Sequence, residues 1–149
     1  MKRIFCTLLL VAMMLCLVPT QAMAADDKEV IHFPDGSYTT VEIFCQGTRT
    51  SKTVTGSKVS SHYGSNGSLV WKATLTGRFT YTGSSATCTS SSASVTIYDS
   101  SWYTISKSSS KSGDTAYAQI TMGQKLAGVT VQKISADMSL TCSASGKFS

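Results

Sequence analysis

Five cysteines, two histidines and eight carboxylates are the side chains with which this sequence could do chemistry. Nucleophilic catalysis needs a thiol or hydroxyl beside a base, and neither His32 nor His62 stands at a spacing that favours this with a cysteine. Serine is so abundant that a Ser-His-Asp set can always be drawn, and no G-x-S-x-G turn singles one out. Glycoside hydrolysis needs two carboxyl groups across one bond. Beyond residue 50 the only acids are Asp99, Asp114 and Asp137, each in its own turn or strand. H-E-x-x-H, C-x-x-C and D-x-D-x-D-G spacings are missing. The chain therefore reads as a non-enzyme with no metal and no cofactor, and both histidines read as solvated strand residues.

Charge and aromatic rings say more. From residue 50 onward nine lysines and arginines face those three acids. Lys72 and Arg78 share a face with Thr74, Thr76, Thr80 and Thr82, a basic, hydroxyl-rich surface suited to a polyanion. The same lysines also serve solubility and protect strand edges. Tyr98, Tyr103 and Tyr117 fall opposite apolar tracks or beside a turn, where rings can stack on sugars. These five residues form the expected binding surface. Its expected partner is an anionic cell-wall polymer, an anionic membrane surface or a glycan. Scattered charges argue against nucleic acid.

The N-terminus assigns a compartment. Met1-Lys2-Arg3, an apolar run from Ile4 to Val18, and Ala22-Met23-Ala24 have the layout of a secretory signal peptide. The run is short for a bilayer span, and no second one follows. Residues 1–24 are thus expected to be removed near Ala24-Ala25, leaving a secreted chain in which 43 of the 45 serines and threonines remain. Residues 25–36 hold four acids and read as a flexible segment, tied down only if Val30–Phe33 pairs as an edge strand. Residues 37–149 are enough for one domain.

Two-residue periodicity dominates that domain. Leu69, Trp71, Ala73, Leu75, Gly77, Phe79 and Tyr81 alternate with polar residues, a half-buried strand with a bend or bulge at Gly77. Ile134, Ala136, Met138, Leu140, Cys142 and Ala144 alternate likewise. Shorter tracks are Val41, Ile43 and Cys45, then Val95 and Ile97, then Ala116 to Met122. Leu126–Gln132 reads as another strand with a bend at Gly128, and Asn66-Gly67 as a type I′ hairpin turn. The serine-rich runs Ser84–Ser94 and Ser106–Gly113 read as exposed loops or edge-strand tips. Trp71 and Trp102 are expected in the core. No stretch has helical period. The expectation is an all-β fold, a two-sheet antiparallel sandwich of about seven to nine strands, immunoglobulin-like or jelly-roll-like.

In an oxidising compartment, three mature cysteines allow one disulfide and leave one thiol over. Strand phase favours Cys88–Cys142, both facing inward, and closing that loop would stabilise the fold by roughly 3–4 kcal/mol. Cys45 is then the unpaired thiol, a buried core residue or the link of a covalent dimer.

The order Cys88, Trp102, Cys142 and the phrase Leu140-Thr141-Cys142-Ser143 resemble immunoglobulin domains, although Leu140 stands where that family has tyrosine. The resemblance implies a disulfide-bridged sandwich. Pro34-Asp35-Gly36-Ser37-Tyr38, Trp71 through Gly77, Phe79-Thr80-Tyr81-Thr82-Gly83, Cys88, Asp99-Ser100-Ser101-Trp102 and Leu140-Thr141-Cys142 are similar to small secreted proteins of Gram-positive bacteria. That likeness implies a source and an extracellular compartment and brings no activity. The functional expectation is a secreted, non-enzymatic binding or surface-interaction module. A basic effector or antimicrobial protein acting on other cells comes second, and a secreted hydrolase third.

Overall fold

The computed structural model describes residues 28–46 and 52–149. The expected leader at 1–24, with Cys6 and Cys16, lies outside the described residues. Eight strands follow: β1 (Lys28–His32), β2 (Tyr38–Gln46), β3 (Thr53–Tyr63), β4 (Leu69–Tyr81), β5 (Ala86–Ile97), β6 (Trp102–Ser112), β7 (Thr115–Leu126) and β8 (Val129–Thr141). No helix occurs among the described residues, so none there is long and apolar enough to cross a membrane. The strands form two antiparallel sheets, five-stranded β1-β2-β3-β4-β5 and three-stranded β6-β7-β8. The all-β class and the strand number agree with the sequence reading. The strand order departs from the immunoglobulin or jelly-roll expectation. Each strand pairs with the next one in the chain within its sheet, so both sheets are plain meanders without a crossover.

The alternating tracks build one core. Trp71, Ala73, Leu75 and Phe79 on β4 meet Ala116, Ala118, Ile120 and Met122 on β7 and Ile134, Ala136, Met138 and Leu140 on β8. Trp102 joins them from the start of β6. Each large side chain buried here is worth roughly 1.5–3 kcal/mol. The β4 irregularity falls between Arg78 and Phe79, one residue beyond Gly77. Gly77 has another task. A Cβ there would come within 2.5 Å of the Phe79 ring and 3.0 Å of Ala116, so its small size lets the rings pack.

Of the two readings of the serine runs, the edge-strand one holds and extends beyond tips: all but Ser84, Ser85 and Gly113 lie within β5 and β6. β5 and β6 are edges of their respective sheets, and they meet along a polar seam. Ser109 Oγ donates to the Ser91 carbonyl, Ser91 Oγ to the Tyr117 carbonyl, and Lys111 Nζ to the Cys88 carbonyl. Hydroxyls suit this position because they satisfy edge carbonyls that would otherwise invite another strand. At the opposite edge, β1 is bound along its length to β2, with Lys28 and Glu42 paired at 3.0 Å. Five of the twelve residues of the segment expected to be flexible are therefore held by the pairing that could tie it down.

Two turns also differ from expectation. At 64–68 only Gly67 has positive φ; Gly67 N–H bonds the Gly64 carbonyl, and Asn66 Oδ1 accepts from Ser68 N–H. That is a type I turn followed by a left-handed glycine rather than a type I′ turn. A two-residue turn with both residues in the left-handed region occurs instead at Ala127-Gly128, with φ of 50° and 83°, and divides the segment read as a single strand into the end of β7 and the start of β8.

The expected Cys88–Cys142 disulfide is not found among the described residues. Both cysteines are buried and flank the β6–β7 turn, Cys88 N–H bonding the Gly113 carbonyl and Cys142 N–H the Asp114 carbonyl. Each thiol turns instead to a nearby carbonyl, Cys88 to Ser90 and Cys142 to Ser143. Burial pushes the Cys88 thiol up from its ordinary pKa, and the Lys111 charge opposes this. Cys45 is half-buried against the core opposite Gly56.

Candidate functional site

In a meander alternate turns share an end. Here the β1–β2 turn, the β3–β4 hairpin, the β5–β6 connection and the flanks of the β7–β8 hairpin gather round one recess of about 600 Å³. The β1–β2 turn contributes Asp35 and Ser37. Asp35 Oδ1 accepts from Ser37 N–H at 2.9 Å and from Ser37 Oγ at 2.6 Å, and Oδ2 accepts from Gln132 Nε2 at 3.3 Å. These donors hold the Asp35 carboxyl below its ordinary pKa. The β3–β4 hairpin adds Asn66 and Ser68, the β5–β6 connection Tyr98, Asp99 and Ser100, and the third wall Gln124 and Gln132. Asp99 Oδ1 is fixed by Ser101 N–H at 2.8 Å.

His62 and Trp102 lie at the base. His62 is 1% exposed, which corrects its reading as a solvated residue. The register pairs it with Trp71 on β4 and Thr39 on β2, both on the inward track. Its ring stacks on Trp71 at 5.2 Å and leans on Trp102 at 5.3 Å and Phe33 at 5.7 Å. Nδ1 is 3.0 Å from Thr39 Oγ1. Burial drives the His62 pKa down, partly offset by the negative charge of Asp35. His62 and Asp35 share the recess, yet no hydrogen bond joins them among the described contacts, and His62 is held by a hydroxyl and three rings. That arrangement braces the floor.

Among the described residues the lining thus carries two carboxylates, three amides, several hydroxyls and two large rings, and no lysine or arginine. It offers hydrogen bonds in both directions beside aromatic faces, chemistry suited to a neutral polyol. It does not suit a polyanion.

The five residues expected to form one binding surface are spread over three. Lys72 and Arg78 lie on the outer face of the five-stranded sheet, opposite Ser61 and Thr55 of β3. Tyr117 lies on the outer face of the three-stranded sheet, in a shallow groove with Ser108, Ser110, Asp137 and Ser139. Tyr103 is on that same face, its hydroxyl 2.7 Å from Thr130 Oγ1 and its ring beneath Lys125 Nζ at 4.5 Å. Only Tyr98, 55% exposed, stands at the recess. Sequence reasoning missed Asp35, Asn66, Gln124 and Gln132, which come together only through the turn geometry. Asp35 and Asn66 left a signal only as turn residues, in Pro34-Asp35-Gly36 and Asn66-Gly67.

Comparison with protein-family models, curated proteins and solved structures gives no match for this chain.

Proposed function

We propose that this chain is an exported, non-enzymatic β-sandwich that binds an uncharged glycan through the recess at the turn end. Two sheets sharing one core support the sandwich reading, and the leader-like N-terminus supports export. The observation that carries the binding reading is the composition of the recess, Asp35, Gln124, Gln132 and Asn66 around Tyr98 and Trp102 with no cation among the described residues. Planar carboxylate and amide groups pair with vicinal hydroxyls while an exposed ring covers the apolar face of a sugar.

The test is a titration of isotopically labelled protein with neutral oligosaccharides, followed by amide and indole chemical shifts. Shifts confined to residues 35–37, 64–68, 98–102, 124 and 132 are expected, and Tyr98→Ala should weaken binding by about tenfold, the loss of one stacking contact. Absence of shifts with every neutral sugar would overturn the reading. Shifts around Lys72 and Arg78 with teichoic acid would replace the recess with the basic sheet face as the binding surface.

A further inference from the structure

The β7–β8 hairpin ends in an apolar tip. Leu126, Val129 and Val131 are 69%, 65% and 55% exposed, the first two more so than any other large hydrophobic residue among the described residues. Scattered apolar residues on a surface need no explanation, but three at one turn do. The Leu126–Val129 pair lies past the last partner that β6 supplies, Trp102 opposite Gln124, so nothing of that strand covers it. The tip is a closed hairpin. Its two-residue turn has both residues in the left-handed region, and the strands are paired up to it, with one register shift between Gln124 and Lys125 that leaves Val131 as the extra residue.

Charge completes the pattern. From Thr115 to Ala136 the hairpin contains no acid, and its cations, Lys125 and Lys133, flank the apolar turn. Gly123 opens the outer face beside them: a Cβ there would come within 2.9 Å of Tyr103 and Ile105, so these two apolar side chains lie over it, and Lys125 sits on the Tyr103 ring. Lys133 pairs with Gly123 and shares that face. The carboxylates at this end, Asp35 and Asp99, keep their charge but line the recess, where Ser37 and Gln132 hydrogen-bond the first and Ser101 the second.

We propose that the β7–β8 tip docks on the surface of an anionic lipid bilayer, with Leu126, Val129 and Val131 entering the headgroup–acyl boundary and Lys125 and Lys133 facing the lipid phosphates. Apolar side chains at a projecting turn beside cations match an interface that is apolar within and negative outside. A second copy fits less well, because a twofold contact between tips would set lysine against lysine. The inference is independent of the glycan reading.

The test is co-sedimentation of the full chain with vesicles of phosphatidylcholine alone or mixed equally with phosphatidylglycerol. Every variant carries the same N-terminus, so a difference between variants belongs to the tip. Binding is expected on mixed vesicles only, weakened at 0.5 M salt. The Leu126→Ser/Val129→Ser variant and the Lys125→Gln/Lys133→Gln variant should each lose about tenfold or more in partitioning, with unchanged circular dichroism and unchanged sugar titration. Absence of binding to mixed vesicles at low salt would overturn the proposal. So would binding that survives both variants, or a lipid-free dimer in sedimentation velocity that Leu126→Ser/Val129→Ser dissolves.

Discussion

His62 makes the stability of this protein depend on pH in a way that can be isolated. Folded, the ring lies between Trp71, Trp102 and Phe33, where burial disfavours its charged form and lowers its pKa. Unfolded, it titrates near 6.5. As pH falls below that value the unfolded chain takes up a proton that the folded one refuses. The contribution of His62 is thus complete above about pH 6.5, declines below it, and levels off once pH passes the folded value. One proton gives a limiting slope of about 1.4 kcal/mol per pH unit. Between pH 7.5 and 5.5 the integrated loss is therefore at most about 1.4 kcal/mol, set by the unfolded titration alone. The assay is urea unfolding at four pH values for the wild type and for His62→Phe, which keeps an aromatic ring in the cage without a titrating nitrogen. Subtracting the variant removes every other titration. Asp35→Asn removes the charge that favours protonated His62, so its plateau should move to lower pH. Equal losses in wild type and His62→Phe would refute the reasoning.

Three further outcomes follow from the fold. Ala127→Asn should raise stability by about 0.5–1 kcal/mol, since asparagine tolerates the left-handed region that alanine occupies here; thermal unfolding shows it as a rise of a few degrees. Gly77→Ala should cost about 1–3 kcal/mol, read as a lower urea midpoint, because the new methyl meets Phe79 and Ala116. Cys88 should react with iodoacetamide only after unfolding, followed by mass spectrometry of the labelled peptide, because burial both shields its thiol and suppresses the thiolate. Labelling of native Cys88 at the rate seen in urea would contradict the buried position.

What the sequence revealed was what periodicity can carry. β4, β7 and β8 each have one face buried, so their alternation of apolar and polar residues announces both the strand and its inward track. β6 beyond Trp102 and Tyr103 is exposed on both faces, and its serines have no pattern to show. β3 hides for another reason. Its inward track is Val54, Gly56, Lys58, Ser60 and His62, polar or small at most positions, while Val59 and Tyr63 lie on the other track. His62 read as solvated because the inward track that carries it has no run of apolar residues to announce it. The recess was illegible because its lining comes from four segments whose meeting depends on the connectivity of both sheets.

That connectivity also separates what the molecule must keep from what it can vary. The core side chains are carried almost wholly by strands, while three of the four segments round the recess are short connections; the fourth, the β7–β8 hairpin, lends Gln124 and Gln132 from its strands. These three connections can exchange residues without moving Leu75, Ile120 or Leu140. The chain is in this sense a display scaffold, and libraries randomised at residues 34–35, 65–66 and 99–100, with the left-handed Gly36 and Gly67 kept, would sample new specificities on an unchanged frame.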